Sequence, residues 1–146
     1  GGKGEPISKF TTVEAARLQV KAWQAAGERI TLTVGTFGTL DPHYVHTLQA
    51  AKESGDRLVV GIGTDESIKR MDRSDKLSIS QQERSYVLSA LECVDLIVSF
   101  EHDKPASLIG ILQPDVFIKT VASTNGDEEL QSVVDLYGGK LQIMSL

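Results

Sequence analysis

The chain has 146 residues, a length that fits one domain and can bury roughly 68–70% of its extended-chain surface without staples. Hydrophobic residues make up 40% and charged residues 24%, and the formal net charge of −5 argues against the basic surface that non-specific nucleic-acid binding requires. The single cysteine, Cys93, excludes an internal disulfide, and no apolar run is long enough to cross a bilayer as a helix. No basic segment leads into an apolar stretch at the N-terminus, so no signal peptide is read and a cytoplasmic location is expected.

Residues 1–10 are polar and Gly-rich and read as a flexible tail or linker; residues 11–146 read as one domain. Thr11-Thr12-Val13-Glu14 forms a capping box, in which a threonine hydroxyl and the glutamate satisfy free helix N–H groups. Val13, Ala16, Val20 and Trp23 follow at helical spacing, with Gly27 as the stop. Ile30-Thr31-Leu32-Thr33-Val34 is a β-branched strand, and Gly35 through Pro42 a loop. A helix is expected from His43 to Ser54, ended by Gly55. Arg57 to Ile62 is apolar without alternation, as in a strand buried on both faces. Residues 65–78 are charged and irregular, with room for one helical turn. Ser80-Gln81-Gln82-Glu83 is a second capping box, opening a helix to about Cys93. Asp95 to Phe100 is a third strand, and Pro105 starts a helix that runs to Leu112. Val116-Phe117-Ile118 is a fourth strand, Asp127 to Tyr137 a last helix, and Lys140 to Met144 a fifth strand.

Alternation of strands and helices with short connections predicts an α/β fold: a Rossmann-like five-stranded parallel sheet with helices on both faces, plus an extra N-terminal helix. Ligands of such sheets bind outside the carboxyl ends of the strands, where the strand order reverses. The loop 35–42 lies at one such end, and a helix N-terminus behind it suits phosphate.

A framework of residues resembles the cytidylyltransferase-like nucleotidyltransferases, most of all the adenylyltransferase half of bacterial ADP-heptose synthase. It comprises Gly35 and Phe37; Val45, Leu48 and Ala51; the run Gly55 to Val60; Asp65, Ser67, Lys69 and Arg70; Arg84 and Leu88; Val94-Asp95; Pro114-Asp115; and Lys119. The match is ungapped from about Ile30 to Lys119, and even Gly27-Glu28-Arg29-Ile30 looks like the end of that family's lead-in helix. The resemblance implies transfer of a nucleoside monophosphate from ATP or CTP to a sugar phosphate, with release of pyrophosphate and usually with magnesium. Catalysis there is mostly positioning and charge stabilisation. Carried over residue by residue, it implies catalytic positions at Asp41, His43, Tyr44 and Lys119, and nucleotide-binding positions at Gly35, Thr36, Phe37, Lys69 and Arg84. Family members often pair as dimers, which makes a homodimer an expectation.

The phosphate-handling positions depart from the family's pattern. Where it has Gly-x-Phe-Asp followed by His-x-Gly-His, this chain has Gly38 for the aspartate, Asp41 for the first histidine, His43 for the glycine and Tyr44 for the second histidine. Asp72-Arg73 replaces a Lys-Gly pair, Lys76-Leu77 an Arg-Pro pair, and Thr120-Val121-Ala122-Ser123 a Gly-Gly-Asp-Tyr run. Asp41 puts an acceptor and a negative charge where a donor faced triphosphate, and Val121 puts a branched side chain where backbone approached it. A two-residue slip would instead make His43 and His46 the histidine pair, at the cost of the helix register of Val45, Leu48 and Ala51. As metal ligands, His43 and His46 share a helix face, but no third ligand stands at a telling spacing, so structural or surface histidines are the preferred reading and no metal site is assigned.

Two functions compete: an active nucleotidyltransferase, and a catalytically inactive relative that binds a ligand or a protein partner. The family points to the first and the motif chemistry to the second. A receiver-type module is the remaining class, and the segment from Ile30 to Gly35 lacks the acids it needs. The partner expected in either case is a nucleotide or sugar phosphate, with no nucleic acid and no membrane.

Overall fold

The computed structural model describes residues 9–35, 37, 42–71, 80–101, 103–120 and 126–144. In chain order these form β1 (Phe10–Thr11), α1 (Val13–Ala25), β2 (Ile30–Gly35), α2 (Pro42–Glu53), β3 (Arg57–Gly63) and α3 (Asp65–Met71). Then follow α4 (Gln81–Ser89), β4 (Leu96–Phe100), α5 (Pro105–Leu112), β5 (Val116–Thr120), α6 (Asp127–Tyr137) and β6 (Lys140–Met144). The strands form one sheet in the order β1-β4-β3-β2-β5-β6, with every neighbouring pair parallel. This is the expected Rossmann-like architecture, with six strands rather than five.

The additional strand is β1, two residues at the edge. Phe10 and Thr11 lie beside Ile97 and Val98, and the Ile97 amide donates to the Lys9 carbonyl at 2.9 Å. Two residues carry no periodicity, so this strand exists only because the edge of β4 offers unpaired backbone groups. It also moves the first cap by one position: Thr12 is the N-cap of α1, its hydroxyl accepting from the Ala15 amide at 3.1 Å. The second capping box is as read, with Ser80 Oγ accepting from the Glu83 amide at 3.2 Å.

Alternation along each strand sends successive side chains to opposite faces. One face carries Ile30, Leu32, Val59, Val98, Phe100 and Phe117, covered by Ala16 and Val20 of α1, Leu108, Ile109 and Leu112 of α5, and Leu130 and Val134 of α6. The other carries Leu58, Val60, Ile62, Ile97, Val116 and Ile118, covered by Leu48 and Ala51 of α2, Leu88 of α4, and Phe37. Because β3 is covered on both faces, its sequence is apolar throughout. Each fully buried aliphatic side chain contributes roughly 1.5–3 kcal/mol.

Three aspartates close the amino ends of the central strands. Asp56, Asp95 and Asp115 each stand just before a strand and accept an amide at the start of the neighbouring one. Asp56 takes Arg29 N–H at 2.7 Å, Asp95 takes Leu58 N–H at 2.7 Å, and Asp115 takes Ile30 N–H at 2.8 Å. These amides precede the regular ladder and would otherwise lack a partner. Lys52 and Arg57 add charge to Asp95, and the Arg57 guanidinium lies 4.9 Å from the centre of the Trp23 ring. Registered this way, the carboxyl ends of β2 and β5 emerge side by side at the opposite edge, where the strand order reverses.

Candidate functional site

β2 and β5 are hydrogen-bonded neighbours, yet β2 is followed in sequence by β3 on one side and β5 comes from the other. Helices leave in opposite directions at this reversal, so a crevice opens between them. The structure has a cleft there of about 80 Å³, lined by Thr33, Val34, Gly35, Phe37, Tyr44, Thr47, Leu48 and Thr120. Thr33 ties the two strands together, its hydroxyl donating to the Ile118 carbonyl at 3.0 Å. The Thr47 hydroxyl donates back to the His43 carbonyl at 3.0 Å, within the first turns of α2.

Phe37 shapes this cleft. Its backbone sits at φ +50°, a left-handed conformation that a phenylalanine adopts only under constraint, and its side chain is 4% exposed. The ring lies over Gly35, where a Cβ would come within 3.2 Å of it, and meets Tyr44 edge-on at 6.1 Å. Glycine at 35 is therefore the residue that lets the Phe37 ring fold back over the strand end. Among the described residues lining the cleft, none carries a charge.

The residues expected to act together are divided by the fold. Gly35, Phe37 and Tyr44 meet in the cleft; Thr36 and Asp41 lie outside the described residues. His43 and His46 are both exposed on α2 and neither lines the cleft. Lys119 shares the face of Phe117, opposite to that of Ile118 and Thr120, and forms an ion pair with Asp127 at the start of α6. Arg84 is buried at 0% exposure, its guanidinium 2.5 Å from Asp65 and 3.4 Å from the Gly63 carbonyl. Lys69 is exposed on α3, and its neighbour Arg70 pairs with Glu101 and Asp103. Thr33 and Thr47 had no sequence signal beyond their elements, and Leu48 and Thr120 carried only a family register, because their shared position depends on which strands become neighbours.

A larger cleft, about 460 Å³, lies elsewhere, beyond the end of β4 between α1 and α5, with Val13, Phe100, Leu108 and Ile111 as its apolar wall. Among the described residues no group of three histidine, cysteine, aspartate or glutamate side chains could hold a metal ion. No described helix is long and apolar enough to cross a membrane.

Residues 32–142 match the cytidylyltransferase-like family, from within β2 to within β6. The chain belongs to that family. Among curated relatives, the bifunctional protein HldE of Geotalea uraniireducens is 36% identical over 146 residues, covering 99% of this chain and 30% of the relative. HldE of Gluconobacter oxydans is 37% identical over 134 residues, covering 92% of this chain and 28% of the relative. The chain thus spans under a third of these relatives' length. Two solved structures share the fold of this cytidylyltransferase-like chain. The lipopolysaccharide core biosynthesis protein of Thermoplasma volcanium superposes with TM-score 0.66 at 24% identity, covering 82% of this chain and 97% of that one. The pantoate-beta-alanine ligase of Francisella tularensis superposes with TM-score 0.65 at 12% identity, covering 93% and 66%. Much of the framework that carries the likeness is architectural: Asp56, Asp95 and Asp115 close strand ends, on the edge of the sheet away from the cleft.

Proposed function

We propose that this nucleotidyltransferase-type domain takes a nucleotide or sugar phosphate at the reversal cleft, and that it follows the ADP-heptose synthase pattern with weakened phosphate handling. In that chemistry an oxygen of the sugar phosphate attacks the α-phosphorus of ATP or CTP. A new P–O bond forms, the bond from the α-phosphorus to the bridging oxygen breaks, and pyrophosphate leaves with the electron pair. The observation that carries the reading is the cleft itself, at the carboxyl ends of β2 and β5, in a chain of this family. In the active reading Lys119 and Lys69 hold phosphate groups together with the start of α2, while Arg84, buried against Asp65, would have to leave that pair to reach one.

Magnesium in such enzymes comes with the phosphates and is held by one or two carboxylates besides. The described cleft lining offers hydroxyls and rings but no carboxylate, which does not fit the ion, and no step is routed through it. A second reading, a catalytically inactive relative that binds a ligand or a protein partner, is favoured by the same lining: Phe37 and Tyr44 occupy the space with apolar surface. A cytoplasmic location and a homodimer belong to either reading.

Calorimetric titration of ATP and CTP, with and without magnesium, tests the weakened binding. The expected dissociation constant is on the order of 1 mM or weaker, about −4 kcal/mol of binding free energy. Micromolar affinity would contradict it and favour the His43 and His46 register. Release of pyrophosphate on adding a sugar 1-phosphate separates the active reading from the inactive one.

A further inference from the structure

We propose that Asp127 is a specificity-determining residue: its carboxylate occupies the Lys119 ammonium and so sets how strongly the reversal site takes an anion. The inference rests on the reading of this edge as the ligand site. Lys119 and Thr120 are consecutive at the carboxyl end of β5 and point to opposite faces. Thr120 lines the cleft with Phe37 and Tyr44, while Lys119 emerges on the side of α6. A ligand seated at the reversal therefore straddles the end of β5, with its uncharged part against the rings and its anionic part toward Lys119. Asp127 is already there. It opens α6, directly after Gly126 at φ +83°, and its carboxylate pairs with Lys119. Both side chains are mostly buried, with 17% exposure for Lys119 and 25% for Asp127, so the pair is shielded from the screening that weakens surface ion pairs. The anionic group of a ligand must displace this carboxylate to reach the lysine, whereas a ligand with no anionic group there meets no such barrier.

The test is calorimetric titration of ATP and of inorganic tripolyphosphate, in magnesium-free buffer, into the wild type and four variants: Asp127→Asn, Asp127→Glu, Lys119→Ala, and Asp127→Asn with Lys119→Ala. Circular dichroism establishes that each variant is folded. Asp127→Asn is expected to tighten both ligands about tenfold, the scale of one charge-assisted hydrogen bond. Asp127→Glu, which keeps the charge, should bind as the wild type does, and the double variant should lose the gain. The proposal is overturned if Asp127→Asn binds tripolyphosphate no tighter than the wild type, or if the gain survives loss of Lys119. The ligand reading fails separately: ATP binding no better than tripolyphosphate in Asp127→Asn leaves the role of Asp127 intact but removes the nucleotide. Conversely, wild-type binding of ATP well above tripolyphosphate, with no response to Asp127→Asn, keeps the nucleotide and removes Asp127.

Discussion

Tyr137 ends α6 with its hydroxyl buried and without a hydrogen-bond partner among the described residues. Burial, with Asp115 nearby, pushes its pKa above the ordinary tyrosine value. In the unfolded chain tyrosine ionises near pH ~10. The unfolded state therefore loses its proton first, and stability present below that pH falls as pH rises toward the folded value, by up to about 1.4 kcal/mol per pH unit. Tyr137→Phe should remove part of this alkaline loss, and at pH 7 it should leave stability unchanged or slightly raised, since no hydrogen bond is broken. Urea denaturation of both proteins at pH 7 and pH 11 checks it; equal alkaline losses would refute it. In the ungapped register, the combined change Asp41→His, His43→Gly and Tyr44→His rebuilds two phosphate donors. At roughly 1.5–3 kcal/mol per charge-assisted donor, ATP binding should tighten at least tenfold by calorimetry. No improvement over the wild type would mean that the ungapped register is wrong or that the pocket is closed for another reason, and weaker binding would favour the shifted register, which loses His43.

The elements meet tightly at the amino edge of the sheet. A Cβ on Gly55 would stand 2.7 Å from Thr31 Oγ1 and 2.9 Å from the Arg29 carbonyl, and the second of these is backbone that cannot swing aside. Gly55→Ala is expected to cost about 1–3 kcal/mol, the usual range for overpacking, read as a lower denaturation midpoint. Asp95→Ala removes the acceptor of Leu58 N–H and the partner of Lys52 and Arg57, so a loss on the order of 2–3 kcal/mol is expected from the same measurement. An unchanged midpoint in either variant would mean that strand β3 is not held where these contacts place it. Helices α2, α5 and α6 fall within a residue of their expected ranges because Pro105, Gly55 and Gly138 act locally. Strand β1 and the shift of the first cap to Thr12 do not act locally, since both follow from pairing with β4.

Across the molecule, β1 is all that covers the outer edge of β4 within the described sheet. Deleting residues 1–11 leaves Thr12 to cap α1 but exposes a run of unpaired backbone groups, the usual template for edge-to-edge association. The deleted form should keep its helical circular dichroism and scatter more light at high concentration. Equal scattering would show that β1 does not protect the edge. Charge is distributed on the same scale: Arg84 and Lys119, which the resemblance assigns to the nucleotide site, are each engaged by a carboxylate of this chain, and so is the framework residue Arg70.

By itself the sequence determined the parallel α/β architecture, most element boundaries and the family. Those follow from periodicity, caps and glycine stops that act over a few residues, and from an ungapped framework that includes Asp56, Asp95 and Asp115. Only the tertiary structure decided which residues share a site. Thr33, Phe37, Tyr44 and Thr120 meet because β2 and β5 become neighbours across more than 80 residues of chain. Lys119 is separated from them because alternation along β5 turns it to the other face, toward Asp127. The resemblance makes Arg84 a nucleotide-binding position, yet its side chain is buried against Asp65, an ion pair that forms only once α4 packs on β3 and β4 beside the start of α3. Local sequence sets what each element is; the long-range pairing of strands sets what each side chain faces.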